Sequence, residues 1–214
     1  ERRFAPFMEK DYLTFDRVSQ ELLNRYSTEV RDGARSALRK VLNRDVSPNC
    51  MLILCVARID CRAIESPSDD KESSEPDRRV YSFELTDGWY SLRAVADEIL
   101  GDYAENGRIR VGTKLLVSNA SLSGYEEGVD PLDEDFDAME PGRGPTLHLA
   151  ANGTRLARWN AKLGFLRPSK RLKSHGGMLI LKRISDALEG GGPIPLIDLR
   201  VLKRFPLKFR ERKG

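Results

Sequence analysis

The sequence predicts an α+β chain, with a short helical segment packed on a small closed β-barrel that carries long loops. Three observations lead there. The first 45 or so residues repeat apolar positions at helical spacing. From Cys50 onward the texture changes to short β-branched runs broken by turn residues. The segment Glu65–Asp77 has no apolar residue at all and reads as a mobile loop.

In the helical part, Tyr12, Phe15, Val18, Leu22, Tyr26 and Val30 recur three and four apart, and Ala34, Ala37, Leu38, Val41 and Leu42 continue the stripe. Two helices are expected, broken near Ser27-Thr28, with Ser27 as N-cap of the second and Lys40 and Arg44 at its end. So few residues are marginal as a separate unit, and their apolar faces need a cover. The chain therefore reads as a piece of something longer, with residues 1–46 ending a helical domain and 47–214 forming the barrel.

Within the barrel, Met51–Ile59 is a buried strand. Val80–Leu85 alternates at period two, Thr86-Asp87-Gly88 turns, and Trp89–Val95 returns as the hairpin partner. A short helix is expected over Asp97–Ala104, strands over Lys114–Ala120, Thr146–Ala151 and Ile197–Leu202, and a further short helix around Met178–Leu188. Mobile loops are expected at about 62–78, 125–145 and 167–193. Five or six short strands with one helix among them fit a closed barrel, which removes the exposed edges of an open sheet.

Composition narrows the function. No run of about 18 apolar residues is present. Cys50, Cys55 and Cys61 lie in one apolar stretch with no Cys-x-x-Cys pair, so they read as structural thiols of a reducing compartment, cytosol or nucleus. His148 and His175 stand alone, and neither a nucleophile elbow nor a phosphate-cradling glycine loop occurs. No enzyme, metal or cofactor is expected. The net charge of +3 hides an asymmetry, roughly +2 over residues 1–45, −11 over 46–150 and +12 over 151–214. That final third suggests a polyanion or an acidic protein as partner.

Two stretches carry a family resemblance. Glu84-Leu85-Thr86-Asp87-Gly88-Trp89-Tyr90 and Ala157-Arg158-Trp159-Asn160-Ala161-Lys162-Leu163-Gly164-Phe165 closely resemble the first OB domain of the breast-cancer type 2 susceptibility protein family. Ser36–Leu42 with Leu54-Cys55-Val56 is similar to that family's junction between helical domain and barrel, and Asn106-Gly107-Arg108 through Gly112 and Arg204-Phe205-Pro206 fit the same register. The resemblance implies an OB-fold barrel in a nuclear recombination mediator for DNA repair, one that loads a RecA-like recombinase onto single-stranded DNA. It also implies a small acidic disordered partner, the split-hand/split-foot deletion protein, clasped by the helical and OB domains.

Candidate residues follow. Arg31, Arg35 and Arg39, four apart, form one basic helical stripe, and Arg200, Lys203 and Arg204 form an outward row beside inward Leu199, Val201 and Phe205; both suit an acidic partner. Arg155, Arg158, Trp159 and Lys162 mix cations and rings as a single-strand surface does, while Arg158 on Trp159 suits a lid on the barrel equally. Arg167, Lys170, Arg171 and Lys173 are candidates for a cationic arm on nucleic acid. Asp87 and Gly88 are expected to shape the turn, with one of Trp89 and Tyr90 in the core. The acidic loop Tyr125–Glu140 is expected to fold over a basic surface in cis and compete with the partner or with DNA. The alternative is a module whose main ligand is single-stranded DNA, held by the basic final third.

Overall fold

A computed structural model describes residues 14–64, 78–133, 136–137, 144–166, 180–181, 184–197 and 199–206. The chain enters as α1 (Phe15–Tyr26), widens into a π-helical turn (Ser27–Arg31), and re-forms as α2 (Ala37–Leu42). The break falls where expected, but Ser27 ends the first helix instead of opening the second. Ser36 is the N-cap of α2, its Oγ accepting from the Arg39 N–H at 3.3 Å. Gly33, at φ 63°, turns the chain between the helices in a conformation that costs a glycine little.

The barrel is built on β1 (Leu52–Ile64), which runs past the strand end expected at Ile59. One edge of β1 pairs antiparallel with β2 (Arg78–Thr86), and the other with β4 (Lys114–Val117). A register shift between Val56 and Arg58 marks a bulge, which bends the strand. β2 returns as β3 (Ser91–Val95), and α3 (Glu98–Glu105) follows, capped by Asp97 through the Leu100 N–H at 2.9 Å. The expected strand 114–120 is interrupted. Asn119 takes φ 59°, and the chain resumes as β5 (Ser121–Ser123).

That interruption lets the chain change partners. β5 pairs antiparallel with β6 (Thr146–His148), and β6 pairs parallel with β3. The sheet runs β5-β6-β3-β2-β1-β4-β7, and among the described residues it stays open between β5 and β4, short of the closed barrel expected. This mixed, curled sheet is that of the expected OB fold, with five strand positions and one parallel pair. After a 3-10 turn (Ala151–Gly153), β7 (Thr154–Leu156) pairs the outer edge of β4, and β8 (Gly164–Phe165) pairs the start of β1 beyond the hairpin turn.

Strand alternation fills the interior with Leu52, Leu54, Val56, Phe83, Leu85, Leu92, Leu115, Val117 and Leu147, and Leu38, Val41 and Leu42 of α2 belong to the same cluster. A helix of six residues has no stability alone. Burying its three aliphatic side chains is worth on the order of 6 kcal/mol, which is why it forms. α1 has no buried residue, and Phe15, Leu22, Leu23 and Tyr26 lie exposed along it.

Several expectations are corrected. The loop expected at 62–78 is narrower, since β1 reaches Ile64 and β2 starts at Arg78. Around 178–188 the described residues form a short strand, β9 (Ile180–Leu181), and a 3-10 turn (Ile184–Asp186), not an α-helix. The expected strand 197–202 is limited to β10 (Leu196–Ile197), parallel to β9. Beyond it Leu199, Val201 and Phe205 are exposed, Val201 at 82%, so they do not face inward. Of the three thiols, all free, Cys61 is exposed and only Cys50 and Cys55 are partly buried, with burial raising the pKa of both.

Candidate functional site: the groove between lead-in and barrel

The hairpin turn fixes how the lead-in meets the barrel. Asp87 is buried, and its Oδ1 accepts from the N–H groups of Trp89 and Tyr90 at 3.0 and 3.1 Å, closing the turn. Its Oδ2 accepts from the Leu38 N–H at 2.8 Å, a free donor in the first turn of α2. One carboxylate therefore shapes the hairpin and holds the positive end of a helix 49 residues away in sequence. Its turn role was expected. Its helix role was not, because nothing local links positions 38 and 87. Gly88 stands at φ 93°, and strand pairing begins only at Ser91, so Trp89 and Tyr90 sit in the turn, both half-buried.

Beside this turn lies an ionic cluster. Arg39 donates from Nη1 to Glu29 at 3.1 Å and from Nη2 to Asp130 at 2.7 Å, with its side chain only 13% exposed. Glu29 is buried, accepts from the Tyr90 hydroxyl, and meets Arg25 at 3.6 Å. The Arg25 guanidinium stands 5.6 Å from the centroid of Trp89 and 5.2 Å from that of Tyr90. The hydrogen bond to Asp130 is the main reason the Arg39 pKa is raised. Burial pushes the Asp130 carboxyl up, but the Arg39 guanidinium pulls it down further, and the net is a lowered pKa. Burial, then the contact with Glu29, raises that of Tyr90.

Arg31, Arg35 and Arg39 accordingly do not form one helical stripe. Residues 33–36 are not helical, and Arg39 is consumed within the fold. Arg35 pairs with Asp45 at 2.7 Å on the surface, and Arg31 ends the π-helical turn, exposed. The acidic loop does reach a cation in cis, through Asp130. Arg44 further binds that loop's start at the Gly124 carbonyl, at 3.0 Å.

Between α2, the hairpin turn and the 161–166 segment opens a groove of about 770 Å³. Arg35, Asp87, Trp89 and Lys162 line it, with Leu163 and Phe165 as apolar wall. Residues that the sequence placed in three separate groups thus share one surface. The end of the Ala157–Phe165 motif, from Ala161 on, forms its far side, where Lys114 Nζ donates to the Ala161 carbonyl at 2.7 Å. Trp159 is 71% exposed and Arg158 is exposed, so their side chains do not seal the barrel as a lid. Arg155 is half-buried, donating to the Ala151 and Thr154 carbonyls at 3.1 Å. Arg200, Lys203 and Arg204 are exposed beyond β10, with Lys203 4.8 Å from the Phe205 ring centroid. Arg167, Lys170, Arg171 and Lys173 lie outside the described residues, and among those described no cluster of metal-ligating groups occurs.

The face that OB barrels usually offer to oligonucleotides is formed by the second and third strands with flanking loops, and in this chain it carries a cross-strand ion pair. Arg58 meets Asp60 at 3.1 Å and Glu84 at 3.8 Å, and Glu84 stands opposite Arg93. The loop between β5 and β6, which carries Glu126, Glu127, Asp130 and Asp133, packs on the end of α2, where the Val129 N–H donates to the Leu42 carbonyl at 3.0 Å.

The strand order and curl define an OB-type domain joined to a helical lead-in. Residues 36–167 match the family model described as BRCA2, oligonucleotide/oligosaccharide-binding, domain 1. The chain belongs to the BRCA2 family. Two relatives from Arabidopsis thaliana, Protein BREAST CANCER SUSCEPTIBILITY 2 homolog A and homolog B, are each 32% identical over 204 residues, 95% of this chain. The chain spans only 16% of the length of either relative.

Proposed function

We propose that this chain is a non-catalytic binding part of a nuclear homologous-recombination mediator, and that its ligand is a small acidic disordered protein of the split-hand/split-foot deletion family. In this reading residues 1–46 end a helical domain and residues 47–214 form the OB domain. The larger protein loads a RecA-like recombinase on single-stranded DNA, and this part supplies the clasp. The groove carries the reading, since it sets Lys162, and Arg35 with its exposed partner Asp45, beside the indole of Trp89. A chain rich in carboxylates and aromatic residues finds there both charge-assisted hydrogen bonds and an apolar wall. The ion pairs of Arg58 with Asp60 and Glu84 favour a polyanionic nucleic acid less, because a cation already paired with carboxylates releases fewer counterions.

A second reading, single-stranded DNA as the main ligand, is favoured by one observation, the exposed Trp159 between exposed Arg158 and Lys162. Arg155, the 167–173 cations and Arg200, Lys203 and Arg204 would extend that surface.

The test is co-purification with the acidic protein, followed by titration of labelled oligothymidine. Arg35→Glu with Lys162→Glu is expected to weaken the protein partner at least about tenfold, while Trp159→Ala leaves it unchanged. Tight, salt-dependent oligonucleotide binding that Trp159→Ala abolishes, with no acidic-protein complex, overturns the clasp and establishes the second reading.

A further inference from the structure

The acidic loop between β5 and β6 grips the last turn of α2 and the residues just after it. Arg39 donates to Asp130 at 2.7 Å. The Leu42 carbonyl, one of those a helix end leaves unpaired, accepts from the Val129 N–H at 3.0 Å. Gly128, at φ 89°, runs so close to Asn43 that a Cβ there would lie 2.8 Å from the Asn43 carbonyl oxygen. Arg44 donates to the carbonyls of Gly124 and Tyr125 at 3.0 and 3.3 Å. Its own backbone stands at φ 62°, a conformation that persists in an arginine only where the surroundings hold it. Val129 also packs against the core, and Asp130 Oδ1 accepts from the Leu132 N–H at 3.1 Å, which stiffens the chain behind the contact.

The opposite end of α2 is held by Asp87, and Arg35, Ser36 and Ala37 there line the groove. A helix of six residues does not persist by itself, so each end depends on what grips it. From this arrangement we infer that the acidic loop is a brace for the groove: its docking on the end of α2 keeps the groove wall in place, and its release loosens that wall. The loop's carboxylates divide accordingly. Asp130 is turned to Arg39, whereas Glu126 and Glu127 stay exposed and take no part in the docking. None of the described loop residues is among those lining the groove, so the loop supports the groove from behind and does not fill it. The effect on a bound partner rests on the proposed clasp. The effect on α2 does not.

The test follows amide exchange by NMR in the whole chain, with affinity for the acidic protein measured alongside. Gly128→Ala sets a side chain against the Asn43 carbonyl in left-handed backbone, and it alters neither the charge nor the groove lining. It is expected to speed exchange of the Lys40, Asn43 and Val129 amides at least about tenfold. The amides of β2 keep their protection, and the acidic protein binds more weakly. Arg44→Gly is a second route to the same state. Glycine adopts φ 62° without strain, so only the carbonyl contacts are lost and the chain stays folded. Glu126→Gln with Glu127→Gln removes charge without undocking the loop and leaves exchange and affinity unchanged. Parent-like protection of Lys40, Asn43 and Val129 in both docking variants overturns the brace. Tighter binding of the acidic protein by Gly128→Ala or by the glutamine pair overturns it in favour of a loop that competes for the groove. If the parent chain binds no acidic protein, the proposed partner fails, and the exchange rates still decide the brace.

Discussion

Arg39→Leu is expected to destabilise the fold by about 3 kcal/mol at neutral pH, far more than a typical surface ion pair is worth. The reason is what remains after the guanidinium goes. Glu29 stays buried beside the Tyr90 hydroxyl with only the 3.6 Å contact to Arg25, and Asp130 loses the 2.7 Å partner that ties its loop to α2. The pH dependence identifies the mechanism. The folded pKa of Asp130 is depressed, so its contribution is present above the unfolded value, about 3.9, and is lost as pH falls through the lower folded value. The gap in urea midpoint between parent and variant should therefore be full at pH 7 and shrink below about pH 4. A gap constant from pH 7 to pH 3 would mean that the arginine stem, and not its charge, is what matters.

Asp87→Ala carries the other large effect, a loss of about 3 kcal/mol from three backbone donors at once. Leu38, Trp89 and Tyr90 all surrender an acceptor, and two of the three belong to the turn that aims the groove wall. Asp87→Asn keeps one oxygen for the turn but no negative charge for the helix end, so it should lose roughly half as much. Amide exchange separates the two roles. In the Asn variant the Leu38 amide exchanges faster while those of Trp89 and Tyr90 keep most of their protection. Equal losses for Ala and Asn would show that charge on the helix carries the whole effect.

Local elements were legible in the sequence where period and turn chemistry agree. Val80–Leu85 lies inside β2, and the helix expected at Asp97–Ala104 appears one residue later with Asp97 as its cap. The strand at 114–120 was misjudged because a curled sheet needs a corner, and Asn119 supplies it by taking a left-handed conformation that no apolar pattern announces. The basic stripe failed for a related reason. Four-residue spacing puts side chains on one face only while the helix continues, and Gly33 ends that continuity. The partners of Arg39 lie 10 and 91 residues away, so its burial is a property of the assembled fold. The groove was invisible as a unit, although its pieces were the motifs that carry the family resemblance, Asp87-Gly88-Trp89 and Lys162–Phe165.

The π-helical turn between α1 and the loop into α2 makes the lead-in adjustable by length. Its wide ring, closed by the Asp32 N–H to the Ser27 carbonyl at 2.9 Å, accommodates one residue more per turn than an α-helix does. Deleting a single residue between Ser27 and Arg31 lets the turn tighten to α-helical spacing, which absorbs the change. The row from Phe15 to Tyr26 then keeps its direction, whereas the same deletion within the α-helical spacing of α1 turns the residues before it by about 100°. The wide turn is thus one residue of slack in the lead-in, and a one-codon deletion there is taken up without re-aiming the helix.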